Sequence, residues 1–360
     1  MTDSFQRAIP PSLTPRPGED VVYYRGEIKY SGTFHGYDIY DQPIVKNSES
    51  GSTVPLNDVF SVRPANPGER LAGCYTRCSS QTVIQQASSE EKHKLDLLLN
   101  KHIEPGPKYI DLIEEIWQRG YEVFLVGGSV RDVLNGDQAN DVDLVSTIPF
   151  YILSSIAEAM FGPGGWSRHE KNGFMSIGRN AGVRKARKGT LIDVKNFFLQ
   201  APGTNDAQFG ADLDYDHRLR DFSCNAVYYD PLNAVYVDPC GHGIEDAKKK
   251  ILNVVNDPSL SHPVNRKAHI AMRMFKFMHR TYSPTEDCIN TIREIYQPMM
   301  DGCKPDEIWN LFYRSILGKV PKEERGALFW ESKTLIFETG FGEIWDTFIQ
   351  HKEDEFGGGS

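Results

Sequence analysis

No stretch of the chain approaches the roughly 20 consecutive apolar residues that a membrane-spanning helix needs. Residues 1–17 are polar and proline-rich, without the charged start and apolar run of a secretory signal. These absences lead us to expect a soluble chain without a Sec-type signal, with no membrane partner and a cytoplasmic location, delivery as an effector staying open. Cysteine is scarce: the six residues Cys74, Cys78, Cys224, Cys240, Cys288 and Cys303 are too irregularly spaced for a disulfide framework. Reduced thiols are expected. Cys74 and Cys78 stand close together, but no second Cys or His pair lies nearby at finger spacing, so a structural zinc site would be incomplete. An excess of positive charge is missing too. A formal charge of -9 argues against a protein that coats nucleic acid through a uniformly basic surface, and no DNA partner is expected. One local basic run exists, Arg179, Arg184, Lys185, Arg187 and Lys188, for which a solvated hairpin tip is the plainer reading.

What is present is the composition of a globular protein, 39% hydrophobic and 25% charged over 360 residues, enough for two or three domains with cores of their own. Residues 21–45 are rich in Tyr and β-branched side chains broken by Gly26, Gly32, Gly36 and Pro43, which predicts short strands and tight turns. Residues 1–86 therefore read as a small β-rich module of unknown role. Ser88 and Glu91 form a capping-box pattern that opens a linker helix within residues 87–106. From Pro107 helices and strands alternate: Tyr109, Ile110, Leu112, Ile113, Ile116 and Trp117 fall at helical spacing and Gly120 suits the position past the helix end. Strands are expected at 123–126, 142–145, 174–177, 191–194 and 228–229. The pattern turns helical after about Val264. The predicted organisation is a β-rich start, an α/β middle over 107–260, an all-helical region over 261–356, and a flexible Gly-Gly-Gly-Ser linker remnant at 357–360.

The chemistry centres on Asp141-Val142-Asp143, at the start of an apolar strand. Side chains alternate across a strand, so both carboxylates face one side while Val142 enters the core. Two negative charges meeting this way repel unless a cation lies between them, and hard oxygen ligands suit Mg²⁺ shared with substrate phosphates. By itself Asp-x-Asp is more often solvated surface. The sequence before it changes the odds: Leu125-Val126-Gly127-Gly128-Ser129-Val130-Arg131-Asp132 is a buried strand, two glycines that let phosphate approach the backbone, and a helix start with free N–H groups. Arg131 adds a planar fork suited to phosphate oxygens, and Asp132 is placed to fix that fork or a nucleotide. An ordinary strand-turn-helix with a surface ion pair is the bland alternative.

Residues 125–136 followed by Asp141-Val142-Asp143-Leu144 resemble the signature of the tRNA nucleotidyltransferases and bacterial poly(A) polymerases. Further stretches resemble the family in order: Lys171-Asn172-Gly173-Phe174, Leu191-Ile192-Asp193-Val194, Arg220-Asp221-Phe222-Ser223-Cys224-Asn225-Ala226, and Asp238-Pro239-Cys240-Gly241 with Gly243 and Asp246. The resemblance covers about residues 121–277. It implies an α+β fold: a polymerase-β-like nucleotidyltransferase head with a mixed sheet, followed by a helical neck. It also implies Asp141 and Asp143 as metal ligands and Asp193 as the third acid, acting on the attacking hydroxyl. Two Mg²⁺ ions about 3.5 to 4 Å apart are implied, with Mn²⁺ able to substitute. Gly127, Gly128, Ser129, Arg131, Asp132, Arg220, Asp221, Asn225 and Arg273 would bind the nucleotide. A surface carboxylate paired with Lys195 is the bland reading of Asp193.

The chain also departs from the family. Leu219 stands where a first arginine is usual before Arg220-Asp221, and the expected Glu-Asp-x-x-Arg of the neck reads Arg266-Lys267-Ala268-His269-Ile270. Those side chains are donors when charged, or apolar, so a C-then-A programme is not expected. Lys304-Pro305-Asp306-Glu307-Ile308-Trp309 resembles the next neck helix, and about fifty residues follow it, fewer than in housekeeping relatives. The leading expectation is transfer of a nucleoside monophosphate from a nucleoside triphosphate to an RNA 3′ end, tRNA foremost, with release of pyrophosphate. The competing readings are a toxin or effector that modifies a protein or small molecule, and an inactive binding protein on the same fold.

Overall fold

In a computed structural model of the chain, the described residues are 14–58, 61–66, 79–103, 106–139, 141–178, 191–197, 208–209, 213–260 and 264–357. Cys74, Cys78 and the basic run from Arg179 to Lys188 lie outside them, as do the side chains of Arg266 and Lys267. No helix among the described residues is long and apolar enough to cross a membrane. Cys224, Cys240, Cys288 and Cys303 are free thiols.

Strands β1 (Asp20–Arg25), β2 (Ile28–Asp38), β3 (Pro43–Asn47), β4 (Thr53–Pro55) and β5 (Val62–Pro64) form a first sheet in the order β4-β3-β2-β1-β5. Its residues alternate as a half-buried sheet requires, with Val21, Tyr23, Phe34 and Val45 closing a small core of their own. Next come β6 (Val83–Gln86), α1 (Ser89–Leu99), α2 (Tyr109–Gln118), β7 (Val123–Val126), α3 (Gly128–Leu134), β8 (Asp143–Ser146), α4 (Phe150–Phe161), β9 (Trp166–His169), β10 (Phe174–Ile177) and β11 (Ile192–Asn196). Then follow β12 (Gln208–Phe209), α5 (Leu213–Asp216), β13 (Tyr228–Asp230), β14 (Val235–Asp238), α6 (Gly243–Lys249) and β15 (Ile251–Leu252). The C-terminal part holds α7 (Val264–Met278), β16 (Ser283–Pro284), α8 (Glu286–Thr291), α9 (Gln297–Met300), α10 (Pro305–Ser315), α11 (Arg325–Glu338) and α12 (Gly342–Phe348).

The second sheet runs β6-β14-β13-β7-β8-β11-β10-β9 and is mixed: β8 and β11 are parallel while the other pairs are antiparallel. The Val-Phe-Leu-Val run of β7 is buried throughout, as a central strand covered on both faces should be. The α1 capping box forms as its sequence predicts, Glu91 N donating to Ser88 Oγ at 3.2 Å and Ser88 N donating to Glu91 Oε2 at 2.8 Å. Gly120 takes a φ of +81° just past α2.

Several features tie the N-terminal part of the chain to the second sheet more closely than the sequence suggests. β6 lies within the stretch read as part of the N-terminal module, yet it hydrogen-bonds to β14 at the edge of the larger sheet. A four-residue strand just before a helix carries no signal of the sheet it will join. Asp41, in the turn after β2, reaches across to the start of α4, accepting from Phe150 N at 3.3 Å and Tyr151 N at 3.0 Å, and pairs with Arg168 Nη1 at 2.7 Å. Arg168 also donates to the Ile39 carbonyl, Arg16 donates to the Gly120 carbonyl at 3.1 Å, and β12 adds to β2.

Candidate active site

The parallel pairing of β8 with β11 sets Asp143, the first residue of β8, opposite Asp193, the second of β11. Asp143 is partly exposed, and Lys195 Nζ approaches its Oδ1 at 3.5 Å. Asp193 accepts from Ser176 Oγ at 2.6 Å across the β10–β11 pair. Asp141 precedes the strand and is exposed, with Val142 between the two acids packed into the core. The strand starts one residue later than the sequence pattern suggests, so Asp141 lies outside it and only Asp143 of the two acids reaches the cavity described below. Among the described residues no group of three or more His, Cys, Asp or Glu is gathered tightly enough to hold a metal ion by itself. The donor set still fits a hard divalent cation, because Mg²⁺ is commonly held by one or two carboxylates completed by substrate phosphates and water. The ammonium of Lys195 already supplies a positive charge at that place.

Beside these acids, β7 is followed by Gly127, whose φ of 75° and ψ of -127° turn the chain sharply into α3. That conformation favours glycine. A Cβ built there would sit 3.8 Å from Asp143 Oδ2, which shows how closely the turn and the acid approach.

A polar network continues inward from the turn. Arg131, 4% exposed, donates through Nε (2.9 Å) and Nη2 (2.6 Å) to Asp132 Oδ1, and through Nη1 to Asn225 Oδ1 at 2.6 Å. Asn225 Nδ2 donates to Asp221 Oδ1 at 2.9 Å, and the other oxygen of Asp221 takes Nε of Arg273 from α7. Arg280 Nη2, two turns further along, reaches Asp132 at 3.2 Å. The head and the neck helix are thus joined by a chain of charge-assisted bonds through Arg131 and Asn225. Burial pushes the Asp221 carboxyl up, but Arg273 and the hydrogen bonds from Asn225 and Phe222 outweigh it and hold the pKa below its ordinary value. Arg220 is likewise engaged, with Asp216 at 2.9 Å and the Tyr228 hydroxyl at 2.9 Å.

An open cavity of about 530 Å³ collects most of these groups. Gly127, Gly128, Arg131, Asp143, Arg220, Asp221, Asn225 and Arg273, all singled out from the sequence, stand on its wall. Ser129, Asp132, Asp141 and Asp193 do not line it. Ser129 is buried with its hydroxyl unpartnered among the described residues, and Asp132 stands behind Arg131. The sequence presents Arg131 as a fork for phosphate, whereas three of its five N–H groups are spent on protein partners. It acts as the keystone of the wall. Sequence reasoning did not assign Asn172, Asp216 or Asn256 to the site, and each is on the wall. Asn172 belonged to a stretch already noted for its resemblance; Asp216 and Asn256 carried no motif.

Residues 123–253 match the Poly A polymerase head domain family. The Multifunctional CCA protein of Stenotrophomonas maltophilia (strain K279a) is 25% identical over 217 residues, covering 56% of this chain and 47% of that protein. The CCA-adding enzyme of Geobacillus stearothermophilus is 26% identical over 160 residues, covering 42% of this chain and 35% of its own length. The chain therefore spans less than half of either relative. Among solved structures, a Thermotoga maritima CCA-adding enzyme in complex with tRNA aligns with a TM-score of 0.50 at 16% identity, covering 72% of this chain and 55% of that one. At that identity the likeness is one of fold, an α+β head with a mixed sheet leading into helices.

Proposed function

We propose that this chain, carrying a Poly A polymerase head domain at residues 123–253, is a metal-dependent nucleotidyltransferase. It transfers a nucleoside monophosphate from a nucleoside triphosphate to an acceptor hydroxyl, an RNA 3′ end and tRNA first among them. The single observation that carries this reading is Asp143 and Asp193 side by side on the parallel strand pair, with Asp143 on the wall of a cavity that also holds Gly127, Arg220, Asp221 and Arg273.

In this reading Asp141 and Asp143 hold Mg²⁺, for which Mn²⁺ can substitute, and the bound cation would neutralise phosphate charge and ease deprotonation of the acceptor hydroxyl. The protein's own share is positioning. The turn at Gly127 and Gly128 brings backbone close to the triphosphate without a side chain in the way. Asp193, oriented by the Ser176 hydroxyl, faces the acceptor. Arg220, Asp221, Asn225 and Arg273 form a prearranged wall for sugar and phosphates, with their hydrogen bonds already made before substrate arrives. Lys195 pairs with Asp143 and would exchange that partner for a phosphate oxygen once a metal ion takes its place.

The relatives named CCA-adding enzymes support an RNA acceptor. The test is incubation with Mg²⁺, labelled nucleotides and either total cell RNA or RNA-free lysate. Label in RNA supports the proposal. Label confined to protein or small molecules would favour the effector reading, and no label in any fraction would favour a binding protein.

A further inference from the structure

The cavity wall carries two chemically different sets of groups. Gly127, Asp143 and Lys195 stand close together, and Leu219, Asn256, His269 and Ile270 belong to other segments of the same wall. If the phosphates of a nucleotide lie against the glycine turn and the acid, its base is left to groups of the second set. Leu219 and Ile270 offer it apolar faces and no hydrogen bond. Asn256 differs from both.

Asn256 is only 7% exposed although it stands on the cavity wall. A buried amide needs partners for both of its ends. The Tyr296 hydroxyl supplies one, donating to Asn256 Oδ1 at 2.7 Å and lying 3.0 Å from the backbone carbonyl oxygen of the same residue. Tyr296 is fully buried in the neck, at the end of a π-helical turn (Ile292–Tyr296). Burial pushes its phenol pKa up, so the hydroxyl keeps its proton. Asn256 Nδ2 has no partner among the described residues and is the end of the amide left for the cavity.

We propose that Asn256 reads the base of the bound nucleotide, donating from Nδ2 to an acceptor on the base edge, and that Tyr296 is a positioning residue that fixes which end of the amide faces it. The assignment rests on the nucleotide reading of the cavity and deepens it, because the neck departs from its family's pattern where base contacts are expected. Asn256 and Tyr296 come from separate segments, so base choice is coupled to how the neck packs.

The experiment measures equilibrium affinity of the full chain for ATP, CTP, GTP and UTP separately, with Mg²⁺ and without acceptor, so that no turnover is required. The wild type is expected to bind the four unequally. Asn256→Ala should compress the differences by roughly ten-fold, the worth of one well-placed hydrogen bond. Asn256→Asp, which presents an acceptor in place of the donor, should change the order of preference. Tyr296→Phe, folded as judged by its melting curve, should weaken selection while the average affinity holds, because the amide is then free to turn over. Equal losses for all four nucleotides, or unchanged ratios in Asn256→Ala and Asn256→Asp, would overturn the assignment alone. A wild-type chain that binds none of the four would overturn the nucleotide reading itself, and this assignment with it.

Discussion

Asp193 stands directly across the parallel strand pair from Asp143, so two carboxylates from distant parts of the chain share one side of the sheet. Their partners among the described residues are few: Asp143 meets Lys195 Nζ at 3.5 Å and Asp193 takes one hydroxyl from Ser176. Such a juxtaposition costs repulsion unless a cation or substrate repays it.

Replacing Asp141 or Asp143 with Ala is therefore expected to lower kcat roughly a hundred-fold or more while leaving the melting temperature near that of the wild type, since a metal contact is lost and no packing. A chelator should have the same effect on the wild type, reversed by added Mg²⁺. Asp193→Ala should lower kcat with little change in nucleotide KM. Unimpaired transfer by Asp143→Ala would remove the metal assignment, and a raised KM at constant kcat in Asp193→Ala would move that residue to binding.

The attachment of the N-terminal sheet predicts that Asp41→Ala destabilises the whole chain by about 3 kcal/mol, because it strips a nearly buried arginine of its carboxylate and uncaps α4. Chemical denaturation monitored by tryptophan fluorescence measures it. A loss below about 0.5 kcal/mol, the range of ordinary surface changes, would mean that the two sheets are energetically independent.

Lys276 on α7 carries a pH signature. Its burial, then repulsion from Arg273, Arg280, Lys319 and Arg131, lowers its pKa to about 8. The unfolded chain keeps that proton to above pH 10. Between about pH 8 and pH 10 the unfolded state binds more protons than the folded one, so this group's contribution makes stability rise with pH. Lys276→Met should therefore stabilise the protein at pH 7, by about 1 kcal/mol after allowing for its partial exposure to solvent. The advantage should shrink as pH approaches 10. Urea unfolding of both proteins at pH 7 and pH 9.5 tests the sign, and an advantage that does not change with pH would assign the effect to packing.

The stretch of α7 that brings His269 and Ile270 to the cavity reads Arg266-Lys267-Ala268-His269-Ile270, without the acid and arginine of a Glu-Asp-x-x-Arg pattern. We expect use of one nucleotide or loose selection, without an ordered addition of C, C and A. Each nucleotide alone and in mixtures, supplied with tRNA lacking its 3′ end, gives the answer on a sequencing gel. Orderly addition of two C residues and one A would show this expectation wrong.

Local chemistry made much of the head legible in advance. The ranges 123–126 and 174–177 emerge as strands with the ends that their largely apolar runs suggest, because a short apolar segment bounded by glycine or polar residues has few other places to go. Eight of the residues singled out from sequence line one cavity, brought there from the turn into α3, the start of β8, the turns over residues 220–225 and α7. Asp216 and Asn256 could not be found this way. Neither sits in a recognisable pattern, and each reaches the wall through side-chain contacts made elsewhere, with Arg220 and Tyr228 in one case and Tyr296 in the other.

By itself the sequence determined much of the order of elements and the glycine turn after β7, since each depends on neighbours within a few residues. Only the tertiary structure decided that β6 joins the larger sheet, that Asp41 caps a helix in the other layer, and that Arg131 spends its donors on Asp132 and Asn225. Those outcomes depend on which groups are left unsatisfied once the layers pack, and a buried donor takes the nearest acceptor whatever its distance along the chain.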